Sequence, residues 1–229
     1  MFASPKHFFG GVALMVAFAI VLVAMFLPIF DGRNALDYMD SLFNSVSKGS
    51  AYYVADLKAE AEDQRGNAVA VRLAVASETQ ARQTAELFRA GGATVKVAEA
   101  ELRVSGDLGG ILGRCLQDSD EMFANAGAGV RDRYGYEERR VLFNWWTALK
   151  AMDEDLKRQN RFAEAAFVVK VKEKAVECAY NYYGIESQAI KDRWGTVLFS
   201  LVFYVLYTIW YGYGIMYIFE GLGFELEAH

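Results

Sequence analysis

Two long apolar runs bracket a region in which hydrophobic and polar residues alternate with regular periods. Residues 8–30 (FFGGVALMVAFAIVLVAMFLPIF) carry no charged side chain. At 1.5 Å per residue the run is about 34 Å long, enough to cross a hydrocarbon core of about 30 Å. Lys6 ahead of the run and Ala17-Phe18-Ala19 imitate a cleavable signal. That site falls in mid-run, and the run is longer than a signal's apolar region, so an uncleaved transmembrane helix is expected.

The second run, residues 195–219, is free of charge up to Glu220 and rich in aromatic residues. Tyr204 and Tyr207 fall near its middle, where a phenol needs a hydrogen-bond partner that lipid tails do not offer. Tyr204, Tyr207 and Tyr211 recur at helical spacing and, with Trp210, are candidate contacts for helices of partner chains. Backbone carbonyls or the first apolar segment are the alternative acceptors. Ala13, Ala17 and Ala24, with Gly10 and Gly11 nearby, place small residues close to one face of the first run, as close helix packing in lipid requires.

Between the runs the period changes several times. Leu36, Met39, Phe43 and Val46 repeat every three to four residues, predicting an amphipathic helix over 34–47 that Lys48-Gly49-Ser50 interrupts. A second helical stretch ends at the turn Arg65-Gly66-Asn67. Val69, Val71, Leu73 and Val75 then alternate with Ala68, Ala70, Arg72 and Ala74, the pattern of a strand with one apolar face. Ser77 is placed to cap the next helix, and Gly91-Gly92 to end it. Val95 and Val97 mark a second strand; the parity flips over 98–101, so Leu102 and Val104 belong to a third. Leu108, Ile111, Leu112, Cys115, Leu116, Met122 and Phe123 return to helical spacing. Leu142, Trp145, Leu149, Met152 and Leu156, then Phe167, Val171, Cys178 and Tyr182, read as the facing stripes of a helical hairpin bent at Gln159-Asn160-Arg161. Ser187 is a candidate cap for a last helix running on into the second apolar segment.

The expected fold is a membrane-anchored α+β chain, with two transmembrane helices flanking a small β-α-β-β-α unit, partial ferredoxin-like in order, followed by a helical hairpin. Its divisions are a short tail (1–7), transmembrane helix 1 (8–30), an amphipathic helical connector (31–66), a small α/β domain (67–127), the helical hairpin (128–186), a helix continuing into transmembrane helix 2 (187–219) and an acidic C-terminal tail (220–229).

Few residues in this pattern suggest chemistry. The turn at 105–113 (SGDLGGILG) joins a strand to a helix, and backbone amides around Gly106, Gly109 and Gly110 are a weak candidate for holding an anion. Its spacing matches neither the dinucleotide fingerprint nor the P-loop, and Asp107 sits where an anion would go. The two histidines, His7 and His229, lie at the chain ends, which leaves no axial pair for a haem between helices. Cys115 and Cys178 are too few for a zinc or iron–sulfur site made by this chain alone. Neither apolar run contains an ionisable group of the kind that lines proton or ion pathways. The acidic pairs at 137–138 and 153–155 stand beside Arg139, Arg140, Lys157 and Arg158, as solvated helix faces do. No catalytic residue, metal or cofactor is expected.

Charge removes a further class of partner. With a formal net charge of −5 and basic residues interleaved with acidic ones, the chain offers no basic stripe along its sequence for nucleic acid. The adjacent Trp145 and Trp146 must point in different directions on a helix; one fills the hairpin core, and Trp146 is taken as a partner contact. The expected partners are the lipid bilayer and other membrane protein subunits. The expected role is a non-catalytic integral membrane subunit that docks or stabilises a larger complex, in a prokaryotic-type inner (cytoplasmic) membrane. A membrane-anchored ligand-binding module using the glycine-rich turn is the alternative. The positive-inside rule read literally keeps the central domain in the cytoplasm, but it weakens for so long a loop. A short basic N-terminus before a long anchor favours the domain outside.

Overall fold

Alternating apolar residues produce a small sheet, and most of the other described residues are helical. The computed structural model describes residues 3–30 and 32–224. In chain order the elements are α1 (Pro5–Met25), α2 (Ala35–Ser50), α3 (Val54–Asp63), β1 (Ala68–Ala74), α4 (Glu78–Ala90), β2 (Thr94–Ala98), β3 (Glu101–Asp107), α5 (Leu108–Phe123), α6 (Gly127–Tyr134), α7 (Glu138–Arg158), α8 (Phe162–Val171), a π-helical turn (Lys172–Glu177), α9 (Cys178–Tyr182) and α10 (Ile190–Leu222). They form two compact units: the described residues up to Gly49 together with those from Ser187 onward, and Ser50–Glu186.

In the first unit α1 packs on α10, both long and apolar enough to cross a membrane. The contact is made by glycine. A β-carbon on Gly11 would lie 2.7 Å from the Ile218 nitrogen, one on Gly214 2.8 Å from the Met15 sulfur, and one on Gly221 would overlap the Phe8 backbone. Ala13 of the small-residue face proposed from sequence is exposed, and Gly10 meets nothing within 4 Å. α1 also ends earlier than the apolar run. Pro28 has no N–H to give and biases Leu27 away from helix, so the helix stops at Met25. α2, by contrast, runs through the expected break at Lys48-Gly49 to Ser50. Its end is tied to residues just before α10: the Gln188 N–H donates to the Ser45 carbonyl at 3.0 Å. The cap of α10 is Ala189, with no side-chain bond, and not Ser187.

The second unit is built on a three-stranded antiparallel sheet of order β1-β3-β2. Val69, Val71, Leu73, Leu102 and Val104 face a core shared with Phe88 of α4, Ile111, Leu112 and Leu116 of α5, and Trp145 of α7. Local signals start the helices: the Ser77 Oγ accepts the Gln80 N–H, and Asp107 Oδ1 accepts the Gly110 N–H at 2.7 Å. The two-residue turn between β2 and β3 holds Glu99 at φ +55°, and Gly92 after α4 takes φ +82°.

No fourth strand lies beside β1 among the described residues. Side chains from the end of α7 and the turn after it take its place. Asp155 Oδ2 accepts the Arg72 N–H at 3.0 Å, Gln159 donates to the Ala70 carbonyl at 2.9 Å, and Arg161 donates to the Ala68 carbonyl at 2.8 Å. A strand edge left bare would template pairing with another chain; here its groups are satisfied at three positions. The helical hairpin also departs from expectation. A separate helix, α6, precedes it, and its second arm buries Ala165, Val168, Val171, Ala175, Val176 and Ala179, with Phe167, Cys178 and Tyr182 at the margin. Alanines let that arm approach α7 closely, and the π turn shifts the helical register by about one residue.

Candidate functional site

The aromatic residues of α10 divide by the groups their polar atoms meet. The Tyr207 hydroxyl donates to the Phe18 carbonyl at 3.1 Å, and its ring stacks on Phe18 with centroids 4.2 Å apart. The Trp210 indole N–H donates to the Leu14 carbonyl at 3.1 Å. Both are thus satisfied by α1, the alternative acceptor weighed from sequence. Tyr204 points outward, 69% exposed, among Leu201, Val205 and Leu206, whereas Tyr211 is 44% exposed and tilts its ring against Phe18 of α1 at 5.2 Å. Of the four proposed contacts on α10, Tyr204 lies on the outer surface of the helix pair and Tyr211 is divided between that surface and Phe18.

The glycine-rich turn is a packing junction. Asp107 Oδ2 accepts the Gly66 N–H at 2.5 Å while its Oδ1 caps α5. A β-carbon on Gly109 would lie 2.5 Å from the Ala61 carbonyl, and one on Gly106 2.9 Å from the Ala93 α-carbon. The glycines therefore let α5 and β3 approach neighbouring backbone, and a carboxylate of the chain itself fills the position an external anion would need.

The third candidate, Trp146, stands on the outer face of α7. Trp145 beside it is fully buried. Trp146 donates its indole N–H to Glu177 Oε1 at 2.7 Å, an acceptor at the end of the π turn. Phe143, 40% exposed, stacks beside it at 6.4 Å. Cations surround the pair: Arg140 lies 4.9 Å from the Phe143 centroid, and Lys150 and Lys172 lie 5.7 and 5.9 Å from the Trp146 ring. The two rings form a ridge between clefts of about 430 and 490 Å³. The smaller is walled by Val176, Glu177 and Tyr180, and the larger by Ser77, Gln80 and Lys150. Large aromatic groups fixed by a hydrogen bond and rimmed by charge are the composition of protein-binding hot spots.

Behind the ridge lies a polar cluster that the sequence reading missed. Asp118 is wholly buried and accepts from Arg114 (2.5 Å), Arg133 (2.8 Å), Tyr134 (2.6 Å) and the Trp145 indole (2.9 Å). Four donors from α5, α6 and α7 saturate one carboxylate, which locks the helix carrying the ridge. Burial, with the neighbouring Asp118 charge, pushes the Tyr134 hydroxyl above its ordinary range, so it stays a donor. The available signal was positional: Asp118 is seven residues after Ile111, on the stripe of α5 that faces the core. Cys115, beside it, is a buried free thiol raised by burial, and Cys178 is also free. Among the described residues no cluster of histidine, cysteine and acidic side chains is arranged to hold a metal.

Comparison with protein-family models, with curated proteins and with solved structures finds no match to this chain.

Proposed function

We propose that this chain is a non-catalytic integral membrane subunit that docks or stabilises a larger membrane complex. In this reading α1 and α10 are a two-helix anchor in a cytoplasmic-type membrane. The unit from Ser50 to Glu186 is a partial ferredoxin-like domain, lacking its fourth strand, that lies outside the cytoplasm and holds partners. The observation that carries the reading is the ridge of exposed Phe143 and half-buried Trp146, ringed by cations and braced from behind by the Asp118 cluster. The outward Tyr204, with the half-exposed Tyr211 beside Phe18, supplies phenols that a helix of another subunit can satisfy within lipid.

Extraction of the tagged chain in a mild detergent, followed by mass spectrometry of the particle, tests this. Stoichiometric membrane partners are expected, and Phe143→Ala with Trp146→Ala should weaken their retention by at least tenfold, since hot-spot aromatics contribute about 2 kcal/mol or more each. A monodisperse particle containing this chain alone would overturn the proposal.

A further inference from the structure

The face of the sheet turned away from α4 and α5 is bare, and its one set of long side chains is nearly all cationic. The exposed positions are Ala68, Ala70, Arg72 and Ala74 on β1, Glu101, Arg103 and Ser105 on β3, and Thr94, Lys96 and Ala98 on β2. Register puts three cations in a single row across the strands: Arg72 opposite Arg103, and Arg103 opposite Lys96. Like charges directly opposite one another destabilise a sheet.

Most arginines elsewhere in this unit have a carboxylate: Arg65 with Glu62, Arg89 with Glu86, Arg114 and Arg133 with Asp118, Arg158 with Asp155, Arg161 with Glu164. Arg72, Arg103 and Lys96 form no side-chain ion pair or hydrogen bond among the described residues. The nearby acids are Glu101 on the same face, Glu154 on α7 and Asp155. The first two make no ion pair with the row, and Asp155 is already engaged by the Arg72 backbone, Arg158 and Gln159.

We propose that this face is a docking platform for an acidic helix of a partner protein, laid across the strands with carboxylates at i, i+3 or i+4, and i+7. Three geometric points select that occupant. Adjacent strands are about 4.8 Å apart, so the row spans about 9.6 Å. Positions i to i+7 of a helix span about 10.5 Å, whereas three same-side residues of an extended chain span about 13 Å. The alanine floor, with Thr94 and Ser105, lets a helix settle close to the strands. Single-stranded nucleic acid is disfavoured because the face carries no aromatic ring on which a base could stack. A lipid surface is disfavoured because the face has no apolar side chain larger than alanine to insert.

This inference rests on the docking role proposed above and names the contact element on the partner. The test uses the full chain in neutral detergent and a labelled helical peptide with glutamate at i, i+4 and i+7, read by fluorescence anisotropy. Its control is a scrambled peptide of the same composition. The intact chain should bind the patterned peptide with an affinity that falls as salt rises. Arg103→Glu and Lys96→Glu should each weaken binding at least tenfold. Arg103→Glu should also raise Tm by about 1–4 °C, because it converts two repulsive cross-strand pairs into attractive ones.

Equal binding of the scrambled peptide, no binding by the intact chain, or variants that bind as the parent does would each overturn the proposal. So would Arg103-dependent binding to phosphatidylglycerol vesicles or to a single-stranded oligonucleotide in place of the peptide, which would assign the face to that ligand. A chain that fails this test yet retains stoichiometric subunits on extraction loses only this inference; a chain extracted alone loses the docking role itself.

Discussion

The two units of this chain distribute their side chains in opposite ways. In the helix pair the buried positions are Gly11, Gly214 and Gly221, while Val16, Ile20, Leu198, Phe199, Leu201 and Leu206 face outward. In the unit from Ser50 to Glu186, Trp145, Phe88, Leu108 and Leu112 are wholly buried, and most of the surface is charged or small. Water drives the second arrangement, because each large apolar group taken inside is worth about 1.5–3 kcal/mol. With the helix pair in lipid, as proposed above, it could not drive the first. The helix pair itself shows close backbone approach and hydrogen bonds from Tyr207 and Trp210 to carbonyls of α1, contacts of the kind that can associate helices in lipid. The side chain that stabilises one unit would break the other.

The sharpest way to break the comparison is to remove the buried carboxylate of the water-soluble type of core. Asp118→Ala strands Arg114 and Arg133 without their shared partner, and should cost about 3–5 kcal/mol of unfolding free energy. Urea titration in a neutral detergent should show this loss in near-ultraviolet tryptophan signals. Cysteine cross-linking between positions 18 and 207 should be unchanged.

Gly11→Val is the converse. Its side chain would collide with the Ile218 backbone, which has no room to give. A cost of about 1–3 kcal/mol is expected in the helix pair alone. It would be seen as a fall in the same cross-linking yield with the urea midpoint of the other unit unmoved. A fall in both would show that the two units are not energetically separate.

The smallest effect concerns the strand edge. Burial raises the Asp155 carboxyl, but hydrogen bonds from the Arg72 backbone, Arg158 and Gln159 outweigh it and hold the group below the usual aspartate range. A carboxyl depressed in the folded state adds stability above the unfolded value near 3.9, and that stability is lost as pH falls through the folded value. Between pH 7 and 5 the stabilising effect should therefore be constant; below about pH 4 it should decline, and it should be gone only once the pH is below the folded value. Asp155→Asn should reduce stability by about 1 kcal/mol at pH 7 and show a shallower loss in acid, as read from Tm against pH.

What the chain alone made legible was local. The parity of Val69, Val71 and Leu73 against Ala68, Ala70 and Arg72 located β1 and its two faces, because a strand turns alternate residues to opposite sides. Ser77 and Asp107 marked helix starts, because a cap is formed by a residue and the amide three places on. The register of α9 was misjudged for an equally physical reason: the π turn adds a residue within the helix, and a period of 3.6 carried across it from Val171 points to Cys178 in place of Ala179, whereas Phe167, ahead of the turn, sits at the margin beside the buried Val168.

The amino-acid sequence by itself determined two apolar spans, a three-strand pattern and the absence of familiar motif chemistry, since all of these depend on spacing along the chain. Only the tertiary structure decided that α1 would satisfy Tyr207 and Trp210, that Asp118 would gather four donors and that Asp155, Gln159 and Arg161 would bond the outer edge of β1. It alone brought Arg72, Arg103 and Lys96 into one row. Each of these joins residues far apart in the chain, and which distant groups meet is fixed by how the elements pack, not by the period of any one of them.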